Sequence, residues 1–170
     1  RPDGSLSVPY AQANLAEIFG LSPAEVADDA SGMIARIHPA DRTRIQDSIR
    51  QSAQALTIRH DEYRVLHPDK GELWVESRTT PEREEDGGTL WHGYIRDVTE
   101  RRLAEDRLRQ AAAVFSNTHE GVIITDRDAR IVAVNPAVCT ITGYGEHELR
   151  GNTLRMLHSG RHDKEFYQSL

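Results

Sequence analysis

Histidine is the side chain here with the most obvious capacity for metal or haem chemistry, because the sequence has eight and imidazole is a common metal ligand. His158 and His162 are four residues apart, so they would share one face of a helix. The Ser-Gly pair between them favours a loop instead. His38 directly precedes Pro39 at a predicted helix start, where capping is the simpler role. We therefore predict no metal site.

The other reactive side chains do not form a recognisable catalytic set. Cys139 is the only cysteine, so neither an internal disulfide nor a cysteine-based zinc site can form within one chain. The acidic run at residues 84–86 is expected at an exposed hairpin tip. Glu25 and Glu148 each follow a potential N-cap by three residues, where a carboxylate favours the helix dipole. No nucleophile with a base and no phosphate loop is visible, so we predict that the chain is not an enzyme.

Composition excludes further classes of function. The chain has 170 residues, a net charge of -6, 38% hydrophobic and 28% charged residues, which is typical of a globular protein. No basic patch could follow a phosphate backbone, so we expect no nucleic-acid partner. No apolar run reaches the roughly 20 residues of a membrane span. The lone cysteine fits a cytoplasmic setting. The first residue is Arg1, so we expect a piece of a longer protein whose membrane anchoring stays open.

The first half of the chain predicts helices followed by an antiparallel sheet. A short strand is expected at residues 5–10, then a helix that ends at Gly20, and another with Ser22 as N-cap. Pro39 opens the longest helix of this half. Residues 57–66, 72–80 and 89–98 are rich in β-branched and aromatic residues, and polar Gly-containing turns separate them. This order predicts an α+β fold with three consecutive antiparallel strands.

The last of these strands runs into a charged helix at residues 99–119 without a Gly or Pro linker. Asp97 or Thr99 can cap the helix, and Asp97 with Glu100 has the spacing of a capping box. Asp97 could also pair with Arg101 or Arg102. An apolar stripe follows the helix at Ala104, Leu108, Ala111 and Phe115. This stripe predicts either packing on its own domain or pairing with the same helix of a second chain.

The remainder repeats the first unit. Two strands are expected over residues 120–134, then two short helices. Shifting the sequence by 123 residues aligns Gly20 with Gly143 and Glu25 with Glu148. A three-residue gap then places His38 on His158. We therefore predict two copies of one unit, of which the second stops before its three-strand segment.

These motifs resemble the PAS family of sensor domains. The stretch "EGVIITDRDARIVAVNPAVCTITGYGEHELRG" is similar to the opening half of a PAS domain, and "GYIRDVTERR" is similar to a C-terminal PAC motif. The tail "LHSGRHDKEFYQSL" resembles PAS domains upstream of GGDEF and EAL modules, and also of histidine kinases. The resemblance implies a five-stranded antiparallel sheet with short helices on one face. It implies a PAS–PAC domain at residues 1–98, a linker helix at 99–119 and half of a second PAS domain at 120–170.

The resemblance also implies a pocket between sheet and helices. In the first copy the candidate lining residues are Leu15, Phe19, Met33, Ile34 and Ile37. The alternative is that side chains simply fill the space. The residues name no cofactor. We expect none, because the Gly-x-Asn-Cys-Arg-Phe-Leu-Gln stretch of flavin-binding LOV domains is missing, while FAD or haem stays open.

The function implied is a bacterial signalling module. In PAS sensors the last strand runs directly into the output helix, which assigns signal transmission to Asp97, Thr99, Glu100 and Arg101. A downstream cyclic di-GMP cyclase or phosphodiesterase in the same chain is the expected output, with a histidine kinase as the alternative. We expect a homodimer through the PAS unit and linker helix, with a small-molecule ligand left open. The competing hypothesis is a dimerisation scaffold that binds no ligand.

Overall fold

The computed structural model describes residues 1, 4–12 and 14–157 of the chain. The chain divides into two compact units, Arg1–Ala104 and Glu105–Leu170. Each unit is α+β, with an antiparallel sheet and short helices, as the sequence predicts. No helix among the described residues is both long enough and apolar enough to cross a bilayer.

Four helices precede the sheet of the first unit: α1 (Asn14–Phe19), α2 (Pro23–Val26), α3 (Ser31–Arg36) and α4 (Pro39–Ala55). Gly20 ends α1 with a φ of 66°, a conformation that glycine adopts without strain. A Cβ at residue 20 would lie 2.5 Å from Cδ of Pro68. The predicted stop at Gly20 is therefore confirmed, and close packing adds a second reason for it.

Local capping defines the starts of α2 and α4. The backbone N–H of Ser22 donates to Glu25 Oε2 at 2.7 Å, which is the reciprocal half of a capping box. His38 is the N-cap of α4, and its Nδ1 accepts from the backbone N–H of Ala40 at 3.2 Å. The capping role predicted for His38 is thus confirmed, and α4 is the longest of the four helices.

Three strands form the sheet of the first unit: β1 (Arg59–His67), β2 (Gly71–Arg83) and β3 (Thr89–Asp97). They are antiparallel in the order β1-β2-β3. The register places Tyr63 opposite Val75 and, on the other side of β2, Val75 opposite Asp97. On β1 and in the middle of β2, odd-numbered residues face the helices and even-numbered residues face outward.

The five-stranded sheet is not found in the described residues, and the strand expected at residues 5–10 is wrong. The segment is extended only in part, and its backbone bonds go to helix ends instead of a ladder. Ala30 N–H donates to Leu6 O, and Val8 N–H donates to Val26 O, both at 2.8 Å. Pro9 has no N–H to continue a ladder. The PAS fold prediction holds with fewer strands in the first unit than expected, whereas the second unit has the two strands that the sequence predicts.

The core of the first unit lies between the sheet and helices α1 to α4. Buried members include Phe19, Ile45, Val65 and Val75, each at most 1% exposed. The first hairpin is attached to this core through His67. Its Nδ1 accepts from the N–H groups of Asp69 and Lys70, so Nε2 carries the proton and donates to Ala16 O at 3.3 Å.

The second unit contains a two-stranded antiparallel sheet and short helices. In chain order, helix α5 (Thr99–Asn117) is followed by β4 (Ile123–Thr125), β5 (Ile131–Val134), α6 (Pro136–Thr142), α7 (Glu146–Leu149) and a 3-10 turn at Leu154–Leu157. Asn135 is fully buried and organises the unit. Its Oδ1 accepts from Val122 N–H and Val138 N–H, and its Nδ2 donates to Glu120 O. One side chain therefore caps α6 and fixes the residues before β4.

The internal repeat is visible in local geometry. Gly143 ends α6 with a φ of 77°, as Gly20 ends α1. Glu148 Oε2 accepts from Gly145 N–H at 2.7 Å, as Glu25 accepts from Ser22. Residues at equivalent positions therefore end a helix or cap the next one in the same way in both units, which supports the predicted duplication.

Gly93 of β3 provides a test of the sheet. A Cβ at this position would lie 2.0 Å from Arg78 O and 2.7 Å from Thr79 Cα, which are backbone atoms of β2. Gly93→Ala should therefore separate the two strands and lower the free energy of unfolding by about 2 kcal/mol or more. Chemical denaturation measures this change.

Gly32→Ala is the matched control. In α3 the new Cβ would meet Leu21 Cδ1 at an ordinary 3.5 Å, and alanine favours helix by about 1 kcal/mol. We expect this variant to be as stable as the wild type or more so. Equal stability of the two variants would contradict the close approach of β2 and β3 at residue 93.

Candidate functional site

A cavity of about 640 Å³ lies in the first unit between the inner face of the sheet and the helices. All five residues predicted from the sequence line it: Leu15, Phe19, Met33, Ile34 and Ile37. Leu15, Phe19 and Ile37 are buried, while Met33 and Ile34 are partly buried. The structure therefore brings these five side chains together around one space. Their role in binding stays a prediction.

Inward residues of the three strands form the other wall, as expected, but the sequence did not predict its hydroxyl groups. Tyr63, Ser77 and Thr79 line the cavity from β1 and β2. Burial raises the pKa of Tyr63 to about 12, so its phenol is neutral at physiological pH. The Ser77 hydroxyl lies near that of Tyr63 but makes no hydrogen bond of good geometry. The cavity is therefore apolar on the helix side and hydroxyl-bearing on the sheet side.

A buried ion pair on β1 lies beside the cavity, which Arg59 helps to line. Arg59 Nη2 lies 2.7 Å from Asp61 Oδ2, and both side chains are about nine-tenths buried. Ser48 Oγ donates to the same carboxylate oxygen at 3.0 Å. The charge of Arg59 is thus balanced within the protein.

The described residues show no place for a metal. They contain no cluster of three or more His, Cys, Asp or Glu side chains that could hold an ion. His158 and His162, which the sequence raised as a pair, lie outside the described residues. Among the cavity-lining residues the histidine is His92, which is 64% exposed and lies 3.7 Å from Glu82. The lining residues thus offer a haem iron no buried histidine ligand.

The junction between β3 and α5 (Thr99–Asn117) is fixed to β2 at Trp74. Val98 N–H donates to Trp74 O at 2.8 Å, and Trp74 N–H donates to Thr99 Oγ1 at 2.9 Å. Val98 is buried. Asp97 Oδ1 accepts from Thr99 N–H at 2.8 Å and so caps the helix start. The start of α5 is therefore held to β2 by two hydrogen bonds, one from the N–H of Trp74 to the Thr99 hydroxyl and one from the N–H of Val98 to the C=O of Trp74.

The arginines of the first turn bind Glu62 on the outer face of β1 instead of Asp97. Arg101 Nη2 lies 2.7 Å from Glu62 Oε1, and Arg102 Nη2 forms an ion pair with Glu62 Oε2. Arg102 also stacks over the Trp74 ring at 4.8 Å, and Arg64 stands 5.7 Å from the same ring. The expected Asp97–arginine pair is wrong because the helix turns its arginines toward β1.

A second carboxylate, Glu76, lies directly opposite Glu62 across the β1–β2 pair. Two such charges would repel each other if unpaired. Arg96 contacts Glu76 at 2.6 Å and His60 contacts it at 2.9 Å. The arginine hydrogen bonds lower the pKa values of both Glu62 and Glu76, with Arg101 the largest cause at Glu62 and Arg96 at Glu76. Both carboxylates are therefore ionised in the folded state at neutral pH.

The sequence predicted that Asp97, Thr99 and Arg101 belong to the junction between strand and helix. It did not predict the residues of β1 and β2 that Thr99 and Arg101 contact. Glu100, the fourth candidate, is exposed, and the capping bond comes from Asp97. Glu62 and Trp74 were not singled out. The alternation of residues along the predicted strand could have identified Glu62, since Glu62 and Arg64 both occupy outward positions of β1.

Most of α5 beyond its first turn is exposed, while Phe115 is partly buried. None of its residues is buried against the part of the chain that the structure describes. Leu108 of the predicted stripe is 72% exposed, and Leu103 and Val114 are also exposed. Leu103, Leu108 and Val114 are therefore accessible for contact with another chain.

Comparison with known proteins identifies two matched segments. Models of the PAS fold match residues 8–95 and residues 109–170, and the first alone covers more than half of the chain. Both matches are to non-catalytic sensor domains, in agreement with the predicted absence of enzyme activity. The uncharacterized protein y4lL of Sinorhizobium fredii is 29% identical over 100 residues, which is 58% of this chain but only 12% of that relative.

Solved structures with a similar fold are also found. A sensory box histidine kinase/response regulator from Burkholderia thailandensis is 28% identical, with a TM-score of 0.49, covering 61% of this chain and 78% of that chain. The N-terminal domain of a diguanylate cyclase with PAS/PAC sensor from Marinobacter aquaeolei is 17% identical, with a TM-score of 0.48, covering 55% of this chain and 85% of that chain.

The Thr99 hydroxyl is expected to hold β2 to the helix. Thr99→Val removes the acceptor of the Trp74 N–H and should lower stability by about 1 kcal/mol. The Trp74 amide should then exchange faster with solvent, which hydrogen-exchange NMR measures. Thr99→Ser keeps the hydroxyl and should preserve slow exchange. Equally fast exchange in both variants would show that the hydroxyl is not what protects Trp74.

The ion pairs of Glu62 predict a pH dependence. The lowered pKa of Glu62 means that its stabilisation is present above the ordinary value of 4.5 and is lost as pH falls through the folded-state pKa. Glu62→Gln should cost about 1 kcal/mol at neutral pH. The difference from wild type should shrink below pH 4.5, as measured by urea unfolding across pH.

Glu85→Gln is the matched control, because Glu85 is an exposed residue in the β2–β3 loop. It should follow the wild-type pH curve. A Glu62→Gln difference that persists unchanged at low pH would mean that the ion pairs with α5 are not its source.

Proposed function

This chain belongs to the PAS family of sensor domains, and on that premise we propose that it passes a change in its first PAS unit through residues 97–119 to a downstream output domain. The proposed boundaries are residues 1–98 for the PAS–PAC domain, 99–119 for the linker helix and 120–170 for the start of a second PAS domain. The protein would act in the bacterial cytoplasm, as part of a longer chain.

The observation that carries this proposal is the direct attachment of α5 to the sheet. β3 ends at Asp97 and α5 begins at Thr99, so one residue separates strand from helix. Trp74 is bonded to both Val98 and Thr99. A flexible linker would absorb a strand displacement, whereas this junction converts it into a tilt or rotation of α5. Glu62 adds a third attachment through Arg101 and Arg102.

The output domain is proposed to make or degrade cyclic di-GMP. The support is the similarity of residues 157–170 to PAS domains upstream of GGDEF and EAL modules. A histidine kinase is the alternative output, since PAS domains with a similar tail also occur upstream of histidine kinases.

A homodimer is the proposed assembly. Its support is the exposure of apolar side chains along α5, where Leu108 belongs to a stripe with near-heptad spacing. The stripe is barely two heptads long, so it would set the register of a dimer held by further contacts. The same observation supports the second candidate function, a dimerisation scaffold that transmits no ligand signal.

A change of helical register tests the transmission proposal in the full-length parent. Deleting one residue between Ala104 and Ala112 rotates everything downstream by about 100°. We expect a clear change in output, measured as cyclic di-GMP formation or breakdown, or as autophosphorylation for a kinase. The first PAS unit should stay folded by circular dichroism.

Deleting seven residues, 104–110, is the matched control, because a whole heptad nearly restores the phase of the helix. It should leave output closer to wild type than the single deletion does. Unchanged output after the one-residue deletion would favour the passive scaffold and overturn the transmission proposal.

A further inference from the structure

The short helix α1 is held at its C-terminal end by two side chains from the β1–β2 turn. His67 Nε2 donates to Ala16 O at 3.3 Å, and Lys70 Nζ donates to Glu17 O at 2.9 Å. Both acceptors belong to the last turn of α1, whose carbonyl groups depend on partners from outside the helix. Residues that lie 51 and 53 positions further along the chain therefore complete the end of α1.

The same imidazole also closes the β1–β2 turn. His67 Nδ1 accepts from the N–H groups of Asp69 and Lys70, both at 3.1 Å. His67 is only 7% exposed, so these bonds are shielded from water. Gly20, just after α1, lies so close to the turn that a Cβ there would be 2.5 Å from Cδ of Pro68. The helix end and the turn are thus packed as one body, and we call His67 and Lys70 the α1 clamp.

The position of α1 depends on such contacts, because the helix has only six residues and would not be stable in isolation. Its buried residues Leu15, Ile18 and Phe19 share a core with β1 and β2. Apolar packing of this kind has no preferred direction. The hydrogen bonds of the α1 clamp do have one, so they fix the helix end relative to the turn.

The turn leads directly to the attachment of α5. β2 begins at Gly71 and is paired with β1 from that residue onward. Trp74 lies three residues further along, and its backbone is bonded to Val98 and Thr99. Packed side chains and hydrogen-bonded strands can carry energetic coupling between two sites. A continuous series of such contacts therefore connects the end of α1 to the start of α5.

We infer that His67 and Lys70 are positioning residues that couple α1 to α5, so that a displacement of α1 reaches Trp74 and Thr99 through the β1–β2 turn. This inference rests on the proposed transmission function and names the residues through which α1 would act on it. Coupling between two sites is reciprocal, so loosening the Trp74 attachment should also loosen the end of α1.

His67→Asn separates the two roles of the imidazole. An asparagine oxygen can accept from the N–H groups of the turn, but its side chain is too short to reach Ala16 O. Hydrogen-exchange NMR on the whole chain provides the measurement. The Gly20 amide, which also donates to Ala16 O, and the Trp74 amide should each exchange at least threefold faster than in the wild type.

Two further variants test the same coupling. Lys70→Met removes the bond to Glu17 O and keeps the aliphatic part of the side chain, so it should accelerate Gly20 and Trp74 in the same direction by a smaller factor. Thr99→Val loosens the Trp74 attachment and should accelerate the distant Gly20 amide at least twofold. A purely local role of the α1 clamp would leave that amide unchanged.

Ser52→Ala is the matched control. Ser52 is buried, accepts from Trp91 Nε1 at 3.0 Å and donates to Thr57 O at 2.7 Å. The variant therefore also loses side-chain hydrogen bonds between a helix and the strand region, but at the other end of β2. Exchange of the Gly20 and Trp74 amides should stay within twofold of the wild type.

Two results would overturn the inference. If His67→Asn accelerates Gly20 and leaves Trp74 unchanged, the α1 clamp holds only the helix. If Ser52→Ala accelerates Trp74 as much as His67→Asn does, the effect is a general loosening of the unit. Should His67→Asn not fold, Lys70→Met is judged by the same two criteria. None of these results decides the transmission proposal, which the register deletions test through the output of the parent protein.

Discussion

The backbone of Trp74 is the point on which the rest of the first unit depends. Its N–H and C=O are both bonded to residues just beyond the end of β3, Thr99 and Val98. An unpaired backbone group in a partly buried position costs free energy, so the chain cannot leave the sheet freely at this point. It must turn into a helix while still attached to β2, and this requirement sets where α5 begins.

The outer face of the sheet adds electrostatics to this constraint. Glu62 and Glu76 lie opposite each other, an arrangement that is stable only when cations neutralise both. Arg96 of β3 forms an ion pair with Glu76, and the arginines of α5 form ion pairs with Glu62. The helix is therefore not merely attached to the sheet. Its first turn supplies charge that the sheet needs, so sheet and helix geometry are coupled.

Features set by neighbouring residues could be predicted from the sequence. The stop at Gly20, the caps at Ser22 and His38, and the repeat that aligns Gly20 with Gly143 all follow from short-range chemistry. The strand expected at residues 5–10 was wrong because a short local segment does not reveal whether a ladder partner exists. Glu62 and Trp74 were missed because their importance arises from cross-strand register, which brings together residues far apart in the chain.

The cavity and the attachment of α5 meet on one strand, β2. Its inward residues Ser77 and Thr79 face the cavity, while Trp74, near its start, holds the junction to α5. Glu76, between these two sites, is bonded outward to Arg96 of β3. Because β-strands are stiff along their length and alternate faces residue by residue, a ligand bound on the inner face can displace the outer contacts only by moving the strand itself. Under the proposed function, that movement would tilt or rotate α5, because no flexible linker absorbs it.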